Sequence, residues 1–228
     1  MDTLGLLHGL RFVDTFFPSG GFAFSSGLEA AVQGGAVKDS GQLARYVEDL
    51  LRGGMSRREA SAVWVASRAG TSGKVAAAIT VDHELDSLKL GREGRQASRQ
   101  MGRQIIKIAA DQVDGKTVLK VYRAAIEREE TPGHLAVSLG LTLGACGWKE
   151  EEAVAAFLYQ TVVGFVSAAM RLLPIGQRES QRVLEGWLPL ISRISREVKP
   201  DAALSSWSPV QDIYGMRHGQ LEWRLFRS

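Results

Sequence analysis

From Ser40 onward, apolar positions recur at helical spacing. Leu43, Val47, Leu50 and Leu51 follow Ser40 on one face and stop at Gly53 and Gly54. Ser56 and Glu59 then have the spacing of a capping box, so the pattern predicts two antiparallel helices joined by a short turn. Further helices are predicted at about Ser72 to Leu90, Arg92 to Ala110, Gly115 to Glu129, Pro132 to Ala145, Lys149 to Leu173 and Gly176 to Val198, each bounded by Gly, Pro or a polar cap. Phe16 to Ser26, Lys199 to Pro209 and the stretch after Tyr214 lack this periodicity and read as irregular. No sustained alternation suggests paired strands, and no internal repeat divides the chain. The expectation is an all-α fold: one helical-bundle domain over residues 1–228, of about eight to ten helices, with a mobile C-terminal tail from about residue 215.

One segment raises the question of a membrane. Ala153 to Met170 carries no charge and reaches the minimum length of a spanning helix, but Gln160, Thr161 and Ser167 interrupt it. No second such segment or interfacial anchor accompanies it, so the prediction is a buried central helix. The first ten residues carry Asp2 and neither Lys nor Arg, the wrong flank for a secretory signal, which points to the cytoplasm. Hydrophobic residues at 45% and charged residues at 23% are globular values, so a packed core is expected and disorder is not. A lone cysteine, Cys146, lies in an apolar run and has no disulfide partner within the chain. Net charge is only +3, but Arg greatly outnumbers Lys, which favours acidic or phosphorylated partners.

Catalytic patterns are incomplete. Gly115, Lys116 and Thr117 imitate the end of a phosphate-binding loop, yet Ala110 stands where its first glycine is required. Ala23 to Gly27 approach a nucleophile elbow around Ser25, with Asp212 and His218 in the chain order of a hydrolase triad, but no strand leads into it. His8, His83, His134 and His218 are too scattered for a tight metal site, so none is expected, beyond transient binding at a single His such as His218. Arg95, Arg99, Arg103 and Lys107 form a basic stripe on the helix opposite Ala97, Met101, Ile105 and Ile108. It reads as a solvated face or a docking stripe for acidic protein or phosphate; nucleic acid is disfavoured because no aromatics interleave it. No cofactor is implied.

Two segments are costly as structure alone. Four aromatics, Phe16, Phe17, Phe22 and Phe24, surround the Gly20–Gly21 pair, and the chain ends in cations alternating with apolar anchors, Arg224-Leu225-Phe226-Arg227-Ser228. Phe17-Pro18-Ser19-Gly20-Gly21-Phe22, followed by Ser26-Gly27-Leu28-Glu29, resembles the amino-terminal motif of the UreF family of urease accessory proteins. Arg171, Leu172, Pro174, Gly176, Gln177 and Gln181 resemble that family's central motif, and His218, Leu221 and the last five residues resemble its carboxy-terminal signature. Glu93, Arg95, Ser98 and Gly102, with His134 and Gly140, match weaker family positions. Ser19 replaces the commoner Thr, and Ala136 stands where Pro often follows the His.

The resemblance spans nearly the whole chain. It implies an all-α homodimer that bridges a UreD/UreH-type accessory protein and the GTPase UreG, and that helps deliver nickel to apo-urease without catalysing a reaction itself. Partner contacts are then expected at Phe17, Pro18, Gly20, Gly21, Glu29, Glu93, Arg95, Ser98, Arg171, Pro174, Gly176, Gln177, His218 and Arg224 to Ser228. By the motif match, Arg171 would influence the GTPase, and the tail around His218 would meet the UreD-type protein. The alternatives are a serine hydrolase using Ser25 and a helical nucleic-acid binder using the Arg stripe.

Overall fold

The computed structural model describes residues 2–113, 117–198 and 203–227. Among these, eleven α-helices and no strand occur: α1 Thr3–Val13, α2 Leu28–Gln33, α3 Ser40–Asp49, α4 Glu59–Ser72, α5 Val75–Leu88, α6 Arg92–Gln112, α7 Thr117–Glu127, α8 Leu135–Ala145, α9 Glu150–Leu172, α10 Gln177–Glu197 and α11 Pro209–Arg217. A π-helical turn, Leu50–Met55, continues α3, and 3-10 turns cover Gly21–Ala23 and His218–Gln220.

The central helix is α8, not the uncharged stretch in α9. Every residue from Ala136 to Ala145 is buried, because α4, α6 and α9 pack directly on α8 while α1, α5 and α7 close the remaining sides. Small residues permit this approach. A Cβ on Gly144 would lie 1.9 Å from the Ser67 carbonyl oxygen, one on Gly140 2.6 Å from that of Val63, and one on Gly70 2.2 Å from that of Leu141. The α4–α8 backbones therefore touch along their length, a contact that any side chain would force apart. Helix α9 is long and apolar enough to cross a membrane, but it is only partly wrapped: Tyr159 and Met170 are exposed, and α10 and α3 lie over its far side.

Buried polar groups set the turns between helices. Asp82 on α5 is fully buried and accepts hydrogen bonds from the Tyr122 hydroxyl (2.8 Å), the Thr131 hydroxyl (2.8 Å), and the backbone N–H groups of Gly133 (2.6 Å) and His134 (3.0 Å). That cluster fixes the entry to α8. One helical turn along, Asp86 receives a two-pronged contact from Arg99 and bonds His134 Nε2 at 2.8 Å, while His134 Nδ1 meets the Ser98 hydroxyl at 3.0 Å. Burial is the largest influence on His134 and holds its pKa below the ordinary value, so the imidazole is neutral.

Several local expectations change. Ser56 and Glu59 form no capping box: the Ser56 hydroxyl bonds the Arg52 carbonyl, and Glu59 is buried between Arg58 (3.0 Å) and Lys89 (2.6 Å). Nor do Gly53 and Gly54 join a helical hairpin. The backbone runs through them as a π turn, because the 203–208 segment lies against it, with Trp207 N–H donating to the Gly53 carbonyl at 2.8 Å. Helix α3 then packs on α10, whereas α4 packs on α5, α8 and α9. Three of the four residues of the basic stripe also bond within the chain: Arg99 pairs with Asp86, Arg103 donates to the Pro132 carbonyl and Arg95 to the Lys89 carbonyl. The predicted helix start at Gly115 and the beginning of the segment at Lys199 lie outside the described residues.

Candidate functional site: a junction of three motifs

The amino-terminal motif is a loop that turns through left-handed backbone at Gly20 (φ +84°) and Gly27 (φ +84°) before α2. Gly27 is doubly constrained, since a Cβ there would sit 2.9 Å from the Gly215 amide nitrogen of α11. Behind the loop, Phe17 is buried on Phe12, with ring centroids 5.1 Å apart. The loop presents Glu29 at the start of α2, and Glu29 is almost fully buried.

The C-terminal segment binds to that glutamate. The Leu225 and Phe226 N–H groups donate to the Glu29 carboxylate at 2.6 and 3.1 Å, and His218 Nε2 lies 2.9 Å from it. The other ring nitrogen, Nδ1, lies 2.8 Å from Glu93 on α6, which also pairs with Arg224 at 2.9 Å. Carboxylate oxygens only accept, so ionised Glu29 and Glu93 require an N–H at both His218 nitrogens. Burial raises the Glu29 pKa, but the two backbone N–H groups and His218 outweigh it and hold the carboxyl below its ordinary value. Phe226 is buried, Arg227 N–H donates to the Ala23 carbonyl (2.8 Å), and Gln33 Nε2 donates to the Trp223 carbonyl (3.0 Å). In place of a free tail from about residue 215, the structure has α11 to Arg217 and then a strap bonded to Glu29 and Glu93 as far as Arg227. Ser228 lies outside the described residues.

The third motif closes the junction. Arg171, in the last turn of α9, places its guanidinium 4.3 Å from the Phe226 ring centre and 5.7 Å from that of Phe22, and reaches the Phe22 carbonyl at 3.4 Å. The cation therefore clips the N-terminal loop to the C-terminal strap while remaining exposed. Phe16, Phe22, Met170, Trp223 and Leu225 are exposed on these same segments, with Phe16 94% and Trp223 82% accessible.

Not every expected residue meets here. Pro174 and Gly176 lie in the turn between α9 and α10 and Gln177 opens α10, all three exposed. Ser98, on α6, is buried against the start of α8, its hydroxyl accepting from Leu135 N–H at 3.3 Å. Arg95 lines a cavity beside the N-terminal loop. Nor does Ser25 find a triad: both nitrogens of His218 face glutamates, and Asp212 faces Arg58 at 3.9 Å. Among the described residues, no three His, Cys, Asp or Glu side chains are set to hold a metal ion. Asp82, Asp86 and the Arg58–Glu59–Lys89 cluster were not anticipated; the one sequence signal was the i,i+4 spacing that puts both aspartates on one face of α5.

The family model described as UreF matches residues 37–187. The urease accessory protein UreF of Bacillus sp. (strain TB-90) is 29% identical over 225 residues, covering 98% of this chain and 99% of its own length. UreF of Actinobacillus pleuropneumoniae serotype 3 is 29% identical over 230 residues, covering all of both chains, and that of Photorhabdus laumondii is 28% identical over 228 residues, covering 99% of each. Three separated motifs that fold into one junction, within an all-helical chain matched from end to end, place this protein in the UreF family of urease accessory proteins.

Proposed function

We propose that this chain is a cytoplasmic scaffold for assembly of the urease nickel centre, bridging a UreD/UreH-type protein and the GTPase UreG so that nickel passes to apo-urease in a GTP-dependent way. The observation that carries this reading is the junction itself: the N-terminal loop, the end of α9 and the C-terminal strap present exposed aromatics around one exposed cation. Such a surface suits protein anchoring, in which a few aromatic and Arg side chains supply most of the binding energy. The strap and Phe22 would meet the UreD-type partner, and Arg171 would modulate the GTPase. Exposed Phe16, Phe22, Tyr159 and Met170 leave apolar surface for a homodimer contact. Nickel, the cargo, could reach His218 only transiently, because both ring nitrogens are already engaged by glutamates.

The test is co-purification of the full chain with a UreD-like protein and the GTPase, with and without GTP. Deleting Arg224 to Ser228 removes two of the three donors to Glu29 and the Phe226 anchor, yet leaves α1 to α11 and the α8 core in place. Loss of the UreD-like partner with an unchanged helical circular dichroism spectrum is expected. Full recovery of that partner by the truncated chain would refute the assignment of the strap.

A further inference from the structure

A cavity of about 340 Å³ lies between the N-terminal loop, α6, α9 and α11. That is within the range of small-molecule sites, which span roughly 300–1,000 Å³. Its wall is mostly apolar: Ala97 and Met101 from α6, Phe157, Phe165 and Ala168 from α9, and Phe226 from the strap. Gln160, Thr161 and Ser167, the polar interruptions of the uncharged α9 stretch, also face it.

The charges around the cavity do not cancel. Arg58, Lys89 and Arg95 line it, against Glu59 and Asp212. Glu59 takes Arg58 at 3.0 Å and Lys89 at 2.6 Å, and Asp212 lies 3.9 Å from Arg58. Arg95 has no acidic partner among the described residues; its side chain donates only to the Lys89 carbonyl, at 3.2 Å. A half-buried guanidinium with spare donors beside an apolar wall is matched by a carboxylate, which accepts from the planar fork in pairs.

Three helices also place glycines on the cavity wall. Gly94 in α6, Gly164 in α9 and Gly215 in α11 all line the cavity, and a Cβ on any of them would meet nothing within 4 Å. Glycine inside a helix costs about 1 kcal/mol relative to alanine. At Gly70, Gly140 and Gly144 close backbone packing demands it, but at these three positions no neighbour does. Gly94 and Gly164 are exposed, so a side chain at either would stand at the cavity rim.

We propose that this cavity is a binding site for a small apolar molecule bearing one carboxylate, with Arg95 holding the carboxylate and the α6 and α9 side chains holding the apolar part. The proposal is independent of the scaffold reading, because it concerns the isolated chain. Octanoate and its uncharged counterpart 1-octanol serve as probes, titrated calorimetrically into the purified full chain. One saturable octanoate site per chain is expected. Arg95→Gln should weaken octanoate by about tenfold while leaving 1-octanol unchanged, since one good charge-assisted contact is worth about 1.4 kcal/mol. Gly164→Phe, placed at an exposed position on the rim, should weaken both ligands, with circular dichroism melts confirming that each variant is folded. No saturable octanoate binding by the wild-type chain, equal octanoate binding by wild type and both variants, or equal loss of both ligands in Arg95→Gln would overturn the proposal.

Discussion

Glu29→Ala is the most direct test of the strap. The Glu29 carboxylate accepts Leu225 N–H on one oxygen, and Phe226 N–H with His218 Nε2 on the other. A hydrogen bond to a charged group contributes about 1.5–3 kcal/mol, so three of them amount to a gross loss above about 4 kcal/mol. Part is recovered when the strap peels away and water satisfies its amides, leaving a net shift toward the undocked strap of about 2–4 kcal/mol. At about 1.4 kcal/mol per decade, hydrogen exchange at the Leu225 and Phe226 amides should accelerate roughly 30- to 1,000-fold. Exchange in α8 should not change, because α4, α6 and α9, not the strap, enclose that helix. Glu29→Gln should fall between, since its NH2 must oppose either Leu225 N–H or the Phe226 and His218 donors. The pH dependence has a defined sign. Because the fold depresses the Glu29 pKa, its contribution is complete above the ordinary glutamate value and is lost as pH falls through the folded value. Exchange at Leu225 and Phe226, corrected for its intrinsic rate, should therefore rise as pH falls through the folded Glu29 value. Unchanged protection of these two amides in Glu29→Ala, or acceleration spread equally through α8, would refute the latch.

Other substitutions probe the rest of the frame. Glu59 is held at a pKa of about 2, as Lys89 and Arg58 outweigh the burial that would raise it. By linkage this is about 3 kcal/mol of stability present above the ordinary carboxylate value and lost as pH falls toward 2, so Glu59→Gln should lower urea stability at neutral pH and flatten the acid limb. Gly144→Ala must separate α4 from α8 and should cost more than about 3 kcal/mol in denaturant unfolding, whereas Gly186→Ala, with nothing within 4 Å, should stabilise by up to about 1 kcal/mol. Arg171→Ala removes the contact with Phe226, worth about 0.5–1 kcal/mol at an exposed site. Under the proposed role it should also alter GTP hydrolysis by the assembled complex and lower urease activation; Lys should restore most of this if charge alone matters and little if the planar fork is used. Unchanged turnover in the Ala variant would reduce Arg171 to a clip between Phe22 and Phe226.

The helices after Ser40 were legible because each has an apolar face at helical spacing and a Gly, Pro or polar residue at its end. Boundaries from α5 to α10 accordingly fall within a few residues of the pattern. Helix α1 escaped because its leucines do not follow one buried face: Leu4, Leu7 and Leu10 are exposed while Gly9 lies against Trp148. Which long apolar segment is central could not be read from hydropathy either. Both α8 and α9 are apolar, and the choice falls to Gly140 and Gly144, whose missing side chains let α4 come into backbone contact. The capping-box reading failed at Glu59 for a similar reason: Lys89, thirty residues away, is a stronger partner for a buried carboxylate than a backbone N–H.

For the candidate site, the sequence by itself determined which residue types were available and, through three motifs, which family they resemble. It could not determine that Glu29, Glu93, Arg171 and His218 belong to one junction. They come from α2, α6, α9 and the turn after α11, and their contacts join residues 55 to 197 positions apart in the chain. Local periodicity carries no term for a hydrogen bond across such distances. Only after the helices pack around α8 do the loop, the end of α9 and the returning strap arrive within bonding range. Burial then makes the pairing obligatory, because a lone buried carboxylate is costly and one that accepts three N–H donors is not.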